Sequence, residues 1–337
     1  MLINPAGPKV DVCLQLLDCE TLEDGKVRPR LLKGLTSSNF YHYQISGAIG
    51  CILKMYGKID VEKLLEATKN KGNPRAKSIR EAASHLQHLP VHGCILADEV
   101  GLGKTKQSLL VTLLHILLYD IVDKDDNSKI LYMPSLLLVP PTLINQWLQE
   151  IREFWPCFKA IISYSDHIFK ETMALSSINR AAMKEFPKLD GMPARLKYIF
   201  NKTDEKAKWA LIISSYETHK IRTGEKKQKK IPGIPFKVKR YDDNGNEIWK
   251  KNPQTKDYWT TNHKNIYSLL IADEAQKIKN CSSGTWSILF LQSYYKTLLV
   301  TATPVYNSIR VSLPLMPPKV PSKGLVHLFL IITSIIW

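Results

Sequence analysis

Apolar residues gather into short runs at 93–97, 135–139, 160–164, 210–214, 267–272 and 297–300, each of strand length and bounded by polar or turn residues. Runs that are apolar at every position, instead of at alternate ones, suit strands buried on both faces of a parallel sheet. Between the runs the period changes. Thr105 to Tyr119 and Thr142 to Trp155 repeat apolar residues at helical spacing; Leu143, Trp147, Ile151 and Phe154 share one face of the second, and Pro156 stops it. Strands alternating with helices predict an α/β fold, a mostly parallel doubly wound sheet with helices on both faces, whose ligands bind beyond the carboxyl ends of the strands. In that frame Trp147 reads as a core anchor and not as a base-stacking residue.

Two polar segments follow such runs directly. LADEVGLGKT, Leu96 to Thr105, joins the first run to the first helix. Gly101 and Gly103 let the backbone turn tightly so that its N–H groups face phosphate oxygens at a helix N-terminus; Lys104 supplies a point charge and Thr105 a hydroxyl for Mg²⁺. Asp98 stands where a phosphate loop usually has its first glycine, so the string taken alone also fits a Gly-rich turn capping an ordinary helix. The second segment, SLLIADEAQKIKN, ends a run in Asp273 and Glu274. Asp273 can hold Mg²⁺ through water, and Glu274 can polarise the water that attacks a γ-phosphate. An acidic pair after a strand also suits a helix cap. Together the two segments predict a nucleotide hydrolase.

At these residues the chain resembles the helicase superfamily two ATPases, and within them the Swi/Snf-type remodelling and DNA translocase family. Six blocks carry the likeness in the family's order: Tyr43-Gln44 within FYHYQISGAIGCIL, LADEVGLGKT, LLLVPPTLINQWLQEI from Leu136, LIISSYET from Leu211, DEAQ from Asp273 with Lys279-Asn280 behind it, and LLVTATPVYNS from Leu298. The departures are Gln276 for the commoner histidine and Ala302 for a glycine. The resemblance implies a RecA-like helicase ATP-binding lobe with ATP and Mg²⁺ as cofactors. It implies that Gln44 reads adenine and that Asp98, Glu99, Gly101, Leu102, Gly103, Lys104 and Thr105 form the nucleotide loop. Lys104, Asp273 and Glu274 would be catalytic, Thr105 and Asp273 the metal ligands, and Gln276, Thr301 and Thr303 the coupling residues. Double-stranded DNA would be the partner, with chromatin as the wider setting and the nucleus as the compartment; the candidate contacts are Thr142, Ser215 and Tyr216 and, from the charge of the second insertion, Lys226, Lys227, Lys229 and Lys230.

The formal net charge of +16 in 337 residues favours a polyanionic partner. The six cysteines show no CxxC pairing, which supports neither a zinc site nor a disulfide framework. The start of the chain does not read as a signal peptide, and Leu109 to Leu118 is too short to span a membrane. The expected organisation is an extension at 1–38, the lobe at 39–310 with insertions at about 58–89 and 219–265, and an atypical apolar tail at 311–337. The first insertion predicts two short helices around Gly72-Asn73-Pro74, and the second a β-hairpin turning at Asp243-Asn244-Gly245 between Phe236/Val238 and Ile248/Trp249. KKQKK, Lys226 to Lys230, reads either as a DNA contact or import signal, or as a solvated loop. This expected organisation leaves no room for a second RecA-like lobe within the 337 residues, and Arg310 would lie on the same lobe as Thr303. The expectation is therefore slow hydrolysis by this chain alone, or a non-catalytic ATP- or DNA-binding module. No guanine-specifying string supports a GTPase.

Overall fold

The computed structural model describes residues 8–123, 126, 129–164, 176–177, 183, 194–228, 237–242, 246–251, 257–278, 280 and 282–303. Among them seven strands form one sheet: β1 Gly93–Leu96, β2 Ser135–Leu138, β3 Lys159–Ile162, β4 Ser176–Ser177, β5 Ala210–Ser214, β6 Tyr267–Asp273 and β7 Tyr294–Val300. Their spatial order is β1-β7-β6-β2-β5-β3-β4, and every neighbouring pair is parallel. All six strands anticipated from the apolar runs are present; β4 is too short to leave a pattern.

Successive residues of a strand face opposite sides of the sheet. Leu137, Leu211, Ile213, Leu269, Ile271, Leu298 and Val300 enter one hydrophobic cluster, while Leu136, Leu138, Ile212, Leu270, Ala272 and Leu299 enter the other. This two-sided burial is why the strands read as unbroken apolar runs. Helices α1 His42–Tyr56, α2 Lys104–Leu118 and α3 Ile144–Phe154 add residues to the first cluster. On the second face lie α4 Tyr216–Thr223 and α5 Gly284–Gln292, through Tyr216 and Leu289. From Gln107 to Leu118, α2 is buried on all sides, as its lack of a polar stripe requires.

The two short helices around Gly72-Asn73-Pro74 are Val61–Ala67 and Ala76–Ser84, the first capped by Asp60 accepting from Lys63 N–H at 3.1 Å. Their Leu64, Leu65, Ile79 and Ala82 are core residues. So are Cys13, Leu16, Leu17, Val27, Leu31 and Leu32 of the segment expected as an extension, whose helix Val10–Leu16 packs on α1 and on Ala76–Ser84. In the second insertion the expected hairpin forms: Lys237–Tyr241 pairs antiparallel with Glu247–Lys251. Its turn at 243–245 lies outside the described residues. An inner ladder, Gly224–Gln228 against Asp257–Thr261, was not legible in the sequence. It rests on α5, where a Cβ on Gly284 would collide with the Trp259 indole. No described helix is long and apolar enough to cross a membrane.

Because Leu16 is fully buried in the same cluster as the sheet residues, Leu16→Ala is expected to cost about 2–5 kcal/mol. Urea unfolding should show one cooperative transition moved to lower midpoint. An early transition appearing beside an unmoved main one would mean that the N-terminal segment folds as a separate unit.

Candidate active site

β7 sits between β1 and β6, so the segments leaving the carboxyl ends of these three strands emerge side by side. They are the Gly-rich loop after β1, Asp273 and Glu274 at the end of β6, and Thr301 to Thr303 after β7. One bond ties the first to the third: Thr301 N–H donates to the Leu96 carbonyl at 3.1 Å, extending the β1–β7 pairing to the mouth of the loop.

In the loop, Gly101 and Gly103 adopt φ of +87° and +71°, the left-handed region where a side chain is strained. Gly103 has a second constraint, since a Cβ there would collide with the Gln44 side-chain amide. That amide is buried; its Nε2 donates to the Leu102 carbonyl at 3.1 Å, and its Oε1 accepts from Tyr41 N–H at 3.0 Å. Gln107 on α2 holds the loop from inside, donating to Asp98 Oδ2 at 2.7 Å. Burial raises the Asp98 carboxyl above its ordinary range, opposed by the Gln107 bond and the Lys104 charge. Asp98 thus replaces the usual glycine with an anchor. Glu99 contributes its carbonyl, which with that of Asp98 receives the Lys104 ammonium at 2.7 and 2.9 Å. No side chain caps α2, and the first loop-to-helix bond is Gln107 N–H to the Gly103 carbonyl at 3.2 Å. Thr105 lies one residue into the helix. Amide N–H groups at an uncapped helix start, an ammonium and a hydroxyl make a donor set that fits a polyphosphate.

Across from the loop, Asp273 is buried, 7% exposed, and its carboxyl is pushed up by that burial. The N–H groups of Trp147 and Glu274 and the Lys104 ammonium oppose the shift. Trp147 Nε1 donates to Asp273 Oδ2 at 2.9 Å, and Glu274 N–H to Oδ1 at 2.9 Å. Glu274 itself has φ of +53°, a strained value for a non-glycine residue. Its Oε2 accepts from Gln276 Nε2 at 2.5 Å; Gln276 Oε1 in turn accepts from Thr301 Oγ1 at 2.8 Å, and Thr303 N–H reaches the same hydroxyl at 3.0 Å. Gln276 therefore bridges the Glu274 carboxylate and the segment after β7. Among the described residues no group of three or more His, Cys, Asp or Glu is arranged as a metal cage. A hydroxyl, one buried carboxylate and phosphate oxygens instead make a donor set that fits Mg²⁺, which keeps much of its water.

The residues expected on nucleic acid divide. Thr142 is exposed at the carboxyl end of β2. Ser215 and Tyr216 are both buried and bonded within the lobe. Ser215 is buried and caps α4 by accepting from Thr218 N–H at 3.2 Å, while Tyr216 is buried with its hydroxyl donating to the Asp273 carbonyl at 2.5 Å. A Ser ahead of a helix is a common cap signal. Lys226 and Lys227 are exposed on the inner ladder and paired with Asp257 at 2.8 Å and Glu225 at 3.1 Å. Lys229, Lys230, Arg310 and the 311–337 tail lie outside the described residues. Sequence reasoning missed the links from Trp147 to Asp273, Gln107 to Asp98 and Thr301 to Gln276, because the partners stand 126, 9 and 25 positions apart on different elements.

A parallel sheet flanked by helices on both faces, with a Gly-rich loop and an acidic pair at the ends of neighbouring strands, defines a RecA-like α/β lobe. Residues 43–316, more than half of the chain, match the family described as the SNF2-related domain, and the chain belongs to that Swi/Snf-type family. It is 27% identical over 238 residues to a probable ATP-dependent helicase of Plasmodium falciparum, covering 69% of this chain and 8% of that protein. It is 24% identical over 215 residues to the chromatin-remodeling ATPase INO80 of Arabidopsis thaliana, covering 64% and 10%. Among solved structures, the Sulfolobus solfataricus SWI2/SNF2 ATPase core in complex with dsDNA aligns with a TM-score of 0.39 at 16% identity, covering 84% of this chain and 36% of that one. The chain spans about a tenth of the length of the curated relatives named here.

The two loop glycines should respond differently to alanine. Gly101 has open space around it, so Gly101→Ala carries only backbone strain of about 1–2 kcal/mol. Gly103→Ala adds the collision with Gln44 and should lower the denaturant midpoint further. Equal midpoints would show that the Gln44–loop contact is not formed in solution.

Proposed function

We propose that this chain is the ATP-binding lobe of a Swi/Snf-type DNA-dependent ATPase, taking Mg²⁺-ATP at the loop between β1 and α2 and duplex DNA as its macromolecular partner. The observation that carries the reading is the juxtaposition of Lys104, Asp273, Glu274 and Thr301 at the ends of three adjacent strands. The loop N–H groups and Lys104 bind phosphate oxygens, for which the ammonium exchanges its carbonyl partners. Thr105 and Asp273 would hold the metal, which would supply charge neutralisation for the phosphates. Glu274 orients and deprotonates the attacking water, and Gln276 fixes the carboxylate that does so. Gln44 retains, by valence, one N–H and one lone pair beyond its backbone bonds, the pair needed to read an adenine edge.

Nuclear work on chromatin is the setting this function fits, with the net charge of +16 drawing the chain to DNA phosphates. The names of the relatives, an ATP-dependent helicase and a chromatin-remodeling ATPase, support the same reading.

Isothermal titration tests the nucleotide half. Lys104→Ala should weaken Mg²⁺-ATP by about 10- to 100-fold, the worth of a charge-assisted bond, and ATP should bind more tightly than GTP. Glu274→Gln should retain the nucleotide and abolish whatever turnover a steady-state assay detects in the parent. Undiminished binding by the Lys104 variant would reduce the loop to a helix-capping turn.

For DNA, the logarithm of the binding constant should fall linearly with that of salt concentration, by about 0.9 for each phosphate neutralised. Lys226→Ala with Lys227→Ala should flatten that slope by up to about 2 if both lysines exchange their carboxylate partners for phosphates. An unaltered slope would return the inner ladder to the status of a solvated surface.

A further inference from the structure

Two large side chains from opposite faces of the sheet end on the same acidic residue. Trp147 belongs to the first-face cluster and is 1% exposed, yet its indole N–H reaches Asp273 Oδ2 at 2.9 Å. Tyr216 belongs to the second-face cluster, and its hydroxyl reaches the Asp273 main-chain carbonyl at 2.5 Å. A third restraint comes from the chain itself, because the left-handed turn at Glu274 accompanies a 2.9 Å bond from its N–H to Asp273 Oδ1. Backbone, Oδ1 and Oδ2 are all held, and each restraint comes from a different element or face.

We propose that Trp147 and Tyr216 are positioning residues for the metal carboxylate, holding Asp273 so that its remaining lone pairs face the Mg²⁺ of a bound nucleotide; this rests on the nucleotide-binding reading above. A carboxylate offers about four lone-pair sites, of which the indole and the Glu274 N–H take one on each oxygen. The rest stay available to metal-bound water, in an orientation set by groups that cannot turn because they are packed in the two cores. Buried indoles and phenols need a partner, and any backbone carbonyl would satisfy that need. Here both serve the one carboxylate residue at the end of β6 that the metal requires. Such outer partners orient a ligating group, and their removal typically weakens metal binding by about 10- to 100-fold.

Trp147→Phe keeps an aromatic ring and removes the N–H. The test is calorimetric titration of the 337-residue chain with the non-hydrolysable imido analogue of ATP, over a series of Mg²⁺ concentrations and in EDTA. The Mg²⁺ concentration for half-maximal enhancement of nucleotide binding should rise by about 10-fold or more in the variant, while metal-free binding stays the same. Tyr216→Phe should move the same midpoint in the same direction. A purely structural role for Trp147 predicts a lower melting temperature with the Mg²⁺ midpoint unmoved, and that result in the folded variant overturns the inference. Should Trp147→Phe fail to fold, Tyr216→Phe decides in its place, and an unmoved midpoint there overturns it. A parent chain whose nucleotide binding does not respond to Mg²⁺ overturns the reading of the site itself, whereas a responsive parent with unresponsive variants overturns this inference alone.

Discussion

The parallel pairing of β7 with β1 on one side and β6 on the other is the constraint on which the rest depends. Each ladder bond between these strands aligns their carboxyl ends in register, with Leu96 beside Val300 and Val300 beside Asp273. Three segments remote in sequence therefore leave the sheet within reach of one another. Parallel strands require long crossovers, and here those crossovers are the helices that cover both faces. The sheet can be buried on both sides only because its strands are apolar at every position. The site is a by-product of that burial, since the first polar residues after each strand have nowhere to stand except its rim.

Burial at the rim has an electrostatic cost that the polar network offsets. Asp273 is almost wholly removed from water, and desolvation disfavours its charged form. The indole of Trp147, the Glu274 N–H and the charge of Lys104 each favour that form. Asp98 repeats the pattern with Gln107 and Lys104. Lys104 acts on both carboxylates while its own ammonium rests on two loop carbonyls. The loop is thus tied to the first residue of α2 through its own carbonyls.

A second network runs through Gln276. Its amide donates to Glu274 and accepts from Thr301, so the residue standing where the family more often has histidine still links the acidic pair to the segment after β7. An amide can do this in one orientation without any proton changing place. By contrast, the second insertion holds two antiparallel ladders, in which Lys226, Lys227 and Lys239 meet carboxylates of their own ladder. Local neutralisation of this kind makes a run of lysines a weaker guide to a DNA contact than its charge suggests.

The order of strands and helices, the doubly wound class and the two polar segments at the ends of β1 and β6 were legible in the sequence, because burial on both faces and helical period are properties of consecutive residues. The two short helices around Gly72-Asn73-Pro74 and the hairpin pairing Lys237–Tyr241 with Glu247–Lys251 were legible for the same local reason. Tertiary structure alone decided which side chains meet. Trp147 was readable as a core anchor, but its bond to Asp273 spans 126 positions, and no period records it. Ser215 and Tyr216 look like surface contacts in a motif, yet one caps a helix and the other lies buried beneath the acidic pair. The N-terminal segment reads as an appendage because it precedes the first of the motif blocks, whereas Cys13, Leu16 and Leu32 are completed by α1 and its neighbours. Hydrophobic pattern determines what must be buried; only the packed sheet determines against what.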